Sequence, residues 1–451
     1  MAEINTSMLL RILKDGSVEA DRLIRREIEL DASIGSAMQT SLNNTWPDRT
    51  EDISPSSHVG RIISEVKSGG DQALQRFTKL FDGSEYGETE VSEEEIVEAF
   101  KTIPIDDLEA IQFTVARIKK YHEDQLKHGP QSFMKRSMGW SVRPLTRVGI
   151  YMTGGEAALP SSVIHTAVPA VVAGVKELVG FSAPMKNGKI NPHKLVAARL
   201  SGVDKVYRGS GAQALAAMAY GTEVSGRVDK IFGPGGLFVT LAKKQLFGDV
   251  GIDSIYGPTE TLVIADQSAS PSLAAADLLA QAEHDVLATP ILLCDSSEFA
   301  ERAAEYVNEQ VMSLERREIA EAAISRGGAI VVENLSRAVD LSNAFAPEHL
   351  CLLVRAPEEL IESITNCGGI FVGESSPEVL GDYTAGPSHV MPTGGSARWA
   401  SPLSVLDFLK ITSIVALDDD ELLRLGPDAA ILARAEGLTG HALSIERRLQ
   451  R

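Results

Sequence analysis

The segment PEHLCLLV places an acid and a base, Glu348 and His349, between a proline and an apolar run. Proline cannot continue a helix and the run LCLLV is typical of a buried strand, so the pair stands at a strand entrance, where both side chains can border one cleft. A histidine accepts the proton of an alcohol, and a neighbouring carboxylate activates water. A polar strand end that faces solvent explains the pair equally well at this point.

A second pair of potential ligands lies on one predicted helix. Gln281 and His284 are three residues apart in DLLAQAEHD, so their side chains emerge on the same helix face. This spacing suits two ligands of one metal ion. Capping of free carbonyl groups at the helix C-terminus is the alternative interpretation of the same two residues.

Two further segments carry ligand-type residues. The loop GDYTAGPSHV contains Asp382 and His389, and EGLTGH near the C-terminus contains Glu436 and His441. Oxygen and imidazole ligands without a thiolate suit zinc with an exchangeable position better than a closed cysteine site. A histidine in a Gly/Pro loop is also an ordinary solvated turn residue, so this interpretation stays open too.

The elements that must position these residues begin at Arg147. VGIYM, the turn TGGEAALP, SSVIHTAVPAVVAGV and ELVGFSAP predict a strand, a turn, a helix and a strand, and two similar units start at DKVYR and DKIFG. Repetition of strand, glycine turn and helix predicts a Rossmann-like parallel sheet. None of the turns is a strict GxGxxG, so close packing explains their glycines as well as a dinucleotide site does.

The α/β alternation continues from TLVIAD, with a helix predicted to begin at Ser270 and Pro271, as far as about residue 373. Residues 375–402 predict a long Gly/Ser/Pro loop, whereas residues 1 to about 145 and the tail from about 403 predict mainly helices. We interpret the remaining histidines as structural, although one of them lies in the helix after the first glycine turn: His58, His122, His128, His193 and, in that helix, His165.

Composition excludes several classes of function. A formal net charge of −19 argues against a general nucleic-acid or anionic-membrane surface. The N-terminal residues predict neither a signal peptide nor a membrane span. Three scattered cysteines, Cys294, Cys351 and Cys367, form no CxxC pair and no disulfide framework, so we expect a reducing, cytoplasmic location.

From about residue 50 to the C-terminus the chain closely resembles the histidinol dehydrogenase family. The resemblance rests on many motifs in the right order: RVGIYMTGG, ALPSSV, PAVVAGV, GAQALAAMAYGT, VDKIFGPG, FGDVGIDSIYGPTE, DLLAQAEHD, PEHL, SPEVLGDYTAGPSHVMPTGG and EGLTGH. It implies an enzyme with one zinc ion per subunit that uses two NAD⁺ in succession to oxidise L-histidinol through the aldehyde to L-histidine, a small-molecule substrate.

The resemblance also implies roles for individual residues. The family's catalytic pair falls on Glu348 and His349. Its zinc ligands fall on Gln281, His284, Asp382 and His441, which also face the substrate together with His349. The other substrate contacts fall on Thr259, Glu378, His389 and Glu436, and the cofactor contacts fall on Tyr151, Gln213 and Gly236.

The implied architecture is α/β, with two Rossmann-like parallel-sheet domains, helical N-terminal and C-terminal extensions, and an intertwined homodimer whose tails lend Glu436 and His441 to the partner's site. We expect an N-terminal helical extension at 1–48, a zinc-binding catalytic domain at 49–148 plus 258–402, an NAD-binding domain at 149–257, and a dimerisation arm at 403–451.

Departures from the family pattern leave the substrate open. Thr259 stands where a serine is usual, Gly236 where an asparagine contacts the cofactor, and Gly440 where an alanine precedes the last zinc ligand, while MTGG replaces VPGG. A related zinc and NAD-dependent dehydrogenase that oxidises another small polar alcohol, such as a sulfonated diol, is the alternative. A zinc hydrolase without a nucleotide fits the ligand residues alone, but it leaves the glycine-turn units without a task.

Overall fold

The protein is described by a computed structural model that covers residues 8–26, 42, 45, 46, 52–154 and 158–450. Its strands are β1 (Ile12–Lys14), β2 (Phe133–Lys135), β3 (Met138–Pro144), β4 (Arg147–Met152), β5 (Glu177–Ser182), β6 (Lys205–Arg208), β7 (Lys230–Phe232), β8 (Gly251–Ile252), β9 (Glu260–Ala265), β10 (Thr289–Cys294), β11 (Gly328–Val331), β12 (His349–Leu353), β13 (Gly369–Val372) and β14 (Leu409–Val415). Residues 155–157 of the predicted turn TGGEAALP and residues 27–41 of the predicted N-terminal extension lie outside the described residues.

The helices with described bounds are α1 (Val18–Ile24), α2 (Pro55–Asp82), α3 (Glu93–Thr102), α4 (Ile105–His128), α5 (Pro160–Ala173), α6 (Pro192–Leu200), α7 (Gly211–Tyr220), α8 (Leu237–Leu246), α9 (Pro271–Ala282), α10 (Ser297–Gln310), α11 (Arg317–Arg326), α12 (Leu335–Phe345), α13 (Glu358–Ile361), α14 (Glu378–Tyr383), α15 (Asp419–Ala435) and α16 (Thr439–Leu449). The predicted start of α9 is confirmed, with Ser270 at the N-cap and Pro271 in the first turn. Among the described helices, none has the length and apolar character that a membrane span requires.

Six strands form a parallel sheet in the order β1-β11-β10-β9-β12-β13. All residues of the central strands β9 and β12 are buried. Helices α9, α10 and α11 cover one face of this sheet, and α1 and α12 cover the other. A strand covered on both faces needs no polar alternation, which explains the unbroken apolar runs in the sequence.

Five strands form a second parallel sheet in the order β6-β5-β4-β7-β8. Helices α3, α4, α5 and α6 pack on one face, and α2, α7 and α8 pack on the other. Two parallel sheets with helices on both faces confirm the predicted α/β class.

The expected domain division stays a prediction. We expected residues 49–148 to share a domain with residues 258–402; within the first of these segments, α2, α3 and α4 pack on the five-stranded sheet. Conversely, β1 of the expected helical extension pairs with β11 and adds a strand to the six-stranded sheet. Helical periodicity shows that a helix has an apolar face but not which sheet will cover that face.

A third, antiparallel sheet in the order β14-β3-β2 lies where we expected helices. β14 has the sequence LKITSIV, whose β-branched residues favour a strand. The two helices that follow, α15 and α16, pack mainly against each other. The predicted loop 375–402 is also interrupted, by α14 and by a short 3₁₀ turn at Ser396–Arg398.

Strand order creates a switch point in each large sheet. β4 and β7 are neighbours although β5 and β6 separate them in sequence, and β9 and β12 are neighbours although β10 and β11 separate them. The chain segments that enter and leave such neighbours run in opposite directions and leave a crevice at the sheet edge. The crevice of the five-stranded sheet contributes to the site described below.

We predict that Leu350→Ala, in the buried centre of the six-stranded sheet, lowers the free energy of unfolding by about 2 to 5 kcal/mol, because it leaves a cavity in a packed core. Leu80→Ala, at a position 54% exposed on α2, is the matched control and should change it by less than about 0.5 kcal/mol. Urea unfolding followed by circular dichroism measures both. Equal midpoints for the two variants would contradict the prediction.

Candidate active site

A cavity of about 300 Å³ lies between the two large sheets. The segments after β4 and β7 line one side of it, including Thr153 and 234–236, so this wall is the C-terminal edge of the five-stranded sheet at its switch point. The opposite wall is the N-terminal edge of the six-stranded sheet, where β9 and β12 begin. The cavity therefore lies between the C-terminal edge of the five-stranded sheet and the N-terminal edge of the six-stranded sheet.

The backbone of Glu260, the first residue of β9, holds the acid–base pair. Its N–H donates to Glu348 Oε2 at 3.1 Å, and its carbonyl oxygen lies 3.1 Å from His349 Nδ1. Since a carbonyl only accepts, Nδ1 of His349 carries the proton and Nε2 has a free lone pair. The predicted position of both side chains at a strand entrance, bordering one cleft, is confirmed, since both line the cavity.

Burial sets the protonation of the pair in opposite directions. It raises the pKa of the Glu348 carboxyl to about 8, against the lowering effect of the Thr259 hydroxyl and the Glu260 N–H. It lowers the pKa of the His349 imidazole, because the charged form loses its hydration. His349 is therefore a neutral base.

Thr259 links Glu348 to Gln281. Its hydroxyl oxygen lies 2.6 Å from Glu348 Oε2 and 2.8 Å from Gln281 Oε1. One hydroxyl has one proton, so it donates to one of these oxygens at a time. When Glu348 is protonated it can donate to Thr259, which then donates to Gln281; when Glu348 is ionised, Thr259 donates to it and the Gln281 oxygen is released.

Asp382 and two histidines complete the polar wall. His284 Nδ1 lies 3.0 Å from the Ala280 carbonyl oxygen, and His389 Nδ1 lies 2.9 Å from that of Asp382. Each Nδ1 is thus a donor, and Nε2 is the ring nitrogen that remains for a ligand, as in metal-binding histidines. His284 therefore caps a helix carbonyl through Nδ1, as the capping interpretation predicted, and Nε2 takes no part in this contact.

Carboxyl, imidazole and amide groups at the cavity are of the types that can bind a divalent cation. Burial raises the pKa of Glu348, Glu378 and Asp382, so the site concentrates carboxyl groups that lack a compensating charge. Among the described residues no cluster of three His, Cys, Asp or Glu side chains could hold a metal ion. Of the four expected ligands, only His284 and Asp382 are of these types and at the cavity, since Gln281 is an amide and His441 does not line it.

His165 positions His389 from the other sheet's helix layer. The two rings stack with centroids 4.2 Å apart, and the His389 backbone N–H donates to His165 Nδ1 at 3.2 Å. His165 Nε2 lies 3.2 Å from the Tyr383 carbonyl oxygen and is therefore the donor. Burial lowers the pKa of His165 well below its ordinary value, and both hydrogen bonds fit the neutral ring.

The expected cofactor residues lie at the edge of the five-stranded sheet. Tyr151, near the end of β4, accepts from the Gly211 N–H at 3.1 Å. Gln213 is buried and donates to the Ser210 hydroxyl at 3.0 Å. Gly236 lines the cavity as the N-cap of α8, and a β-carbon there would meet no atom within 4 Å.

Comparison with known proteins decides the family. The family profile described as histidinol dehydrogenase matches residues 47–449. The histidinol dehydrogenase of Deinococcus radiodurans is 46% identical over 425 residues, which are 92% of this chain and 95% of that protein. That of Bacillus subtilis is 44% identical over 425 residues, or 93% and 98% of the two chains.

The chain belongs to the histidinol dehydrogenase family. The crystal structure of histidinol dehydrogenase from Elizabethkingia anophelis agrees, with a TM-score of 0.88 and 32% identity over 98% of each chain. Membership makes the chain an oxidoreductase, as its sequence resemblance predicted.

The fold brings most of the expected histidinol dehydrogenase residues to one cavity, which is lined by Thr259, Gln281, His284, Glu348, His349, Asp382 and His389 as well as Gly236. Glu378 lies behind the cavity wall, fully buried, where Thr261 and Cys351 donate to it. Glu436 and His441 are exposed on the tail and do not line the cavity. Tyr151 and Gln213 lie beyond its lining as well.

The sequence interpretation did not show how two residues support the site. His165 was interpreted as structural, and the structure shows that its ring stacks on His389; its place in the helix after the first glycine turn was the available signal. Glu260 gave no signal, because it acts through its backbone and its side chain points away from Glu348 and His349 toward Arg26 and Gly394.

We predict that Thr259→Val, which keeps the shape but removes the hydroxyl, lowers kcat of the dehydrogenase reaction at least about tenfold, since Glu348 and Gln281 lose their shared partner. Thr259→Ser keeps the hydroxyl and should stay within about threefold of wild type. Steady-state kinetics on the three proteins test this. Equal rates for the valine and serine variants would show that the hydroxyl has no role.

Proposed function

We propose that this chain oxidises L-histidinol through the aldehyde to L-histidine and reduces two NAD⁺ to NADH. The observation that carries the proposal is the free Nε2 of a neutral His349 in a cavity that opens onto the switch point of a Rossmann-like sheet. This arrangement puts a base for a hydroxyl proton next to the place where such sheets bind dinucleotides.

The first oxidation needs one base. His349 Nε2 takes the hydroxyl proton while a hydride leaves the alcohol carbon for NAD⁺, which gives the aldehyde and NADH. The Glu260 carbonyl holds Nδ1–H, so the ring keeps its orientation and its charge is stabilised when Nε2 is protonated.

The second oxidation needs water. Ionised Glu348 takes a proton from a water molecule as the water oxygen adds to the aldehyde carbon, and protonated His349 returns its proton to the carbonyl oxygen, which forms the hydrate and leaves His349 neutral again. The hydrate then loses a hydride to a second NAD⁺ and a proton to His349, and the carboxylic acid results. The Thr259 hydroxyl and the Glu260 N–H hold the Glu348 carboxylate in place throughout.

We propose Gln281, His284, Asp382 and, from a second copy, His441 as ligands of one zinc ion per subunit. When bound, zinc would supply a Lewis acid that fixes the imidazole and amine of the substrate. Thr259, His389, Glu378 and Glu436, together with the ligands and His349, form the proposed substrate site. The position of His284 and Asp382 at the cavity and the raised pKa of Asp382 support a cation there.

Residues 149–257 are the proposed cofactor domain, with Tyr151, Gln213 and Gly236 as contacts of NAD⁺. Their positions at the C-terminal edge of the five-stranded sheet support this assignment. The open space around Gly236 would accept the asparagine that is usual at this position in the family. We therefore expect glycine here to bind NAD⁺ more weakly than asparagine would.

We propose an intertwined homodimer in the cytoplasm. The tail formed by α15 and α16 exposes large apolar side chains, among them Leu423 at 57%, Ile431 at 67% and Leu432 at 61%. Exposed apolar surface of this kind marks an interface. The described cysteines are all free, in line with a reducing compartment.

The deciding experiment is NADH formation at 340 nm from L-histidinol and NAD⁺ by the zinc-loaded protein, with two NADH expected for each histidine formed, and loss of the signal after chelation of the metal. A panel of small diols and amino alcohols, including sulfonated diols, runs in parallel, because Thr259 and Gly236 depart from the family pattern. A specificity constant for another alcohol that exceeds the one for L-histidinol by about 100-fold, or about 2.7 kcal/mol, would assign the alternative substrate.

The catalytic pair should show separable defects. We expect His349→Asn to lose both oxidations, since no other base receives the proton. Glu348→Gln should still oxidise added alcohol slowly and fail to form acid from added aldehyde, because only hydration needs its carboxylate. Quantifying histidine and aldehyde by mass spectrometry separates the two steps. An equal loss of both steps in the Glu348 variant would refute this division of roles.

Mixed dimers test the shared site. His349→Asn and His441→Ala should each be inactive alone, but co-expressed chains with different tags should recover about a quarter of wild-type activity, since half of the dimers are mixed and each mixed dimer has one intact site. In the control, the chain with His349→Asn is co-expressed with a chain that carries His128→Ala, at an exposed position of α4, in place of His441→Ala. Recovery no greater than the sum of the single variants would mean that each site lies within one chain.

A further inference from the structure

Arg26 reaches from the end of α1 into the region behind the catalytic pair. Its Nη2 donates to the Phe345 carbonyl at 2.7 Å and to the Ala346 carbonyl at 3.2 Å, and its guanidinium carbon lies 3.5 Å from the centre of the Phe345 ring. The same nitrogen lies 3.2 Å from Glu260 Oε2. One guanidinium thus contacts both the end of α12 and the start of β9.

Both contacts lead directly to the catalytic residues. Ala346 has a left-handed backbone with φ 55°, and the chain turns there before Pro347 and Glu348. Glu260 supplies the backbone N–H and carbonyl that hold Glu348 and His349. A shift of either segment would therefore move the acid–base pair against the cavity.

The Glu260 side chain depends on this contact. Its oxygen Oε1 accepts from the Gly394 N–H at 3.0 Å, whereas Oε2 has no hydrogen-bond partner among the described residues and only Arg26 beside it. The side chain is 4% exposed. Removing Arg26 would leave the buried Oε2 atom without a polar neighbour among the described residues, and the surrounding backbone must rearrange or take up water.

We propose that Arg26 is a positioning residue for Glu348 and His349, acting through Glu260 and the carbonyl groups that precede Glu348. The kinetic test of this inference rests on the proposed function. Arg26 lies ahead of residues 47–449 that match the family profile, so the inference gives the N-terminal segment a role in the reaction.

The kinetic test compares Arg26→Gln, Arg26→Lys and the control Arg25→Gln, which makes the same change at the adjacent exposed arginine. We expect Arg26→Gln to lower kcat by about 100-fold with KM within about threefold, because misplaced catalytic groups slow the chemical step more than they weaken binding. Lysine keeps the charge but not the branched geometry, so Arg26→Lys should recover part of kcat. Arg25→Gln should match wild type.

A general stabilising role would give a different result. It would lower the melting temperature and the fraction of active enzyme, but kcat per folded active site, counted by bound zinc, would stay at the wild-type value. Wild-type kcat in Arg26→Gln, or a rise of KM alone, overturns the inference. If Arg26→Gln does not fold, the variants Arg26→Lys and Glu260→Gln replace it in the test. A wild-type kcat in both of these variants also overturns the inference.

Crystal structures of wild type and Arg26→Gln give a test that needs no substrate. We expect Glu348 and His349 to lose at least one of their hydrogen bonds to the Glu260 backbone; retention of both overturns the inference. If wild type forms no NADH from L-histidinol, the proposed function fails and this comparison still decides the role of Arg26.

Discussion

The pairing of β9 with β12 is the constraint on which the site depends. Parallel neighbours bring the first residues of the two strands to one sheet edge, so the Glu260 backbone can hold Glu348 and His349 at once. Because the backbone of a buried central strand hardly moves, the acid and the base keep their relative positions. The tautomer of His349, the donors to Glu348 and the link through Thr259 to Gln281 all follow from this edge.

The cavity is unusual in using opposite edges of its two sheets. Ligands of open α/β sheets bind at the C-terminal edge beside a switch point, and the five-stranded sheet follows that rule. The six-stranded sheet instead presents its N-terminal edge, and α9, which runs antiparallel to β9, returns Gln281 and His284 to the same edge. A cofactor edge and a catalytic edge thus face each other across about 300 Å³.

Burial raises the pKa values of the acids at this site and lowers the pKa values of the bases. The carboxyl groups of Glu348, Glu378 and Asp382 have raised pKa values, and the imidazoles of His349 and His389 have lowered ones. Neutral bases and carboxyl groups without a counter-charge suit proton transfer beside a bound cation. His441 lies on the exposed tail and does not line the cavity.

Much of this could be predicted from the sequence, since strands, helices and glycine turns follow from local periodicity, and ordered motifs identify the family and its residues. The sequence predicted one site for Glu348, His349, Gln281, His284 and Asp382, and these five residues line one cavity. It did not reveal β14, nor that α2, α3 and α4 cover the five-stranded sheet, because a pattern shows that a face is apolar and not what it meets.

The roles of Glu260, His165 and Arg26 were decided by tertiary structure alone. Each acts through backbone contacts or stacking between segments 89 to 319 residues apart in the chain. The residue types by themselves indicated no such role. Every residue has a backbone carbonyl, and only the fold determines which of them lies beside a catalytic side chain.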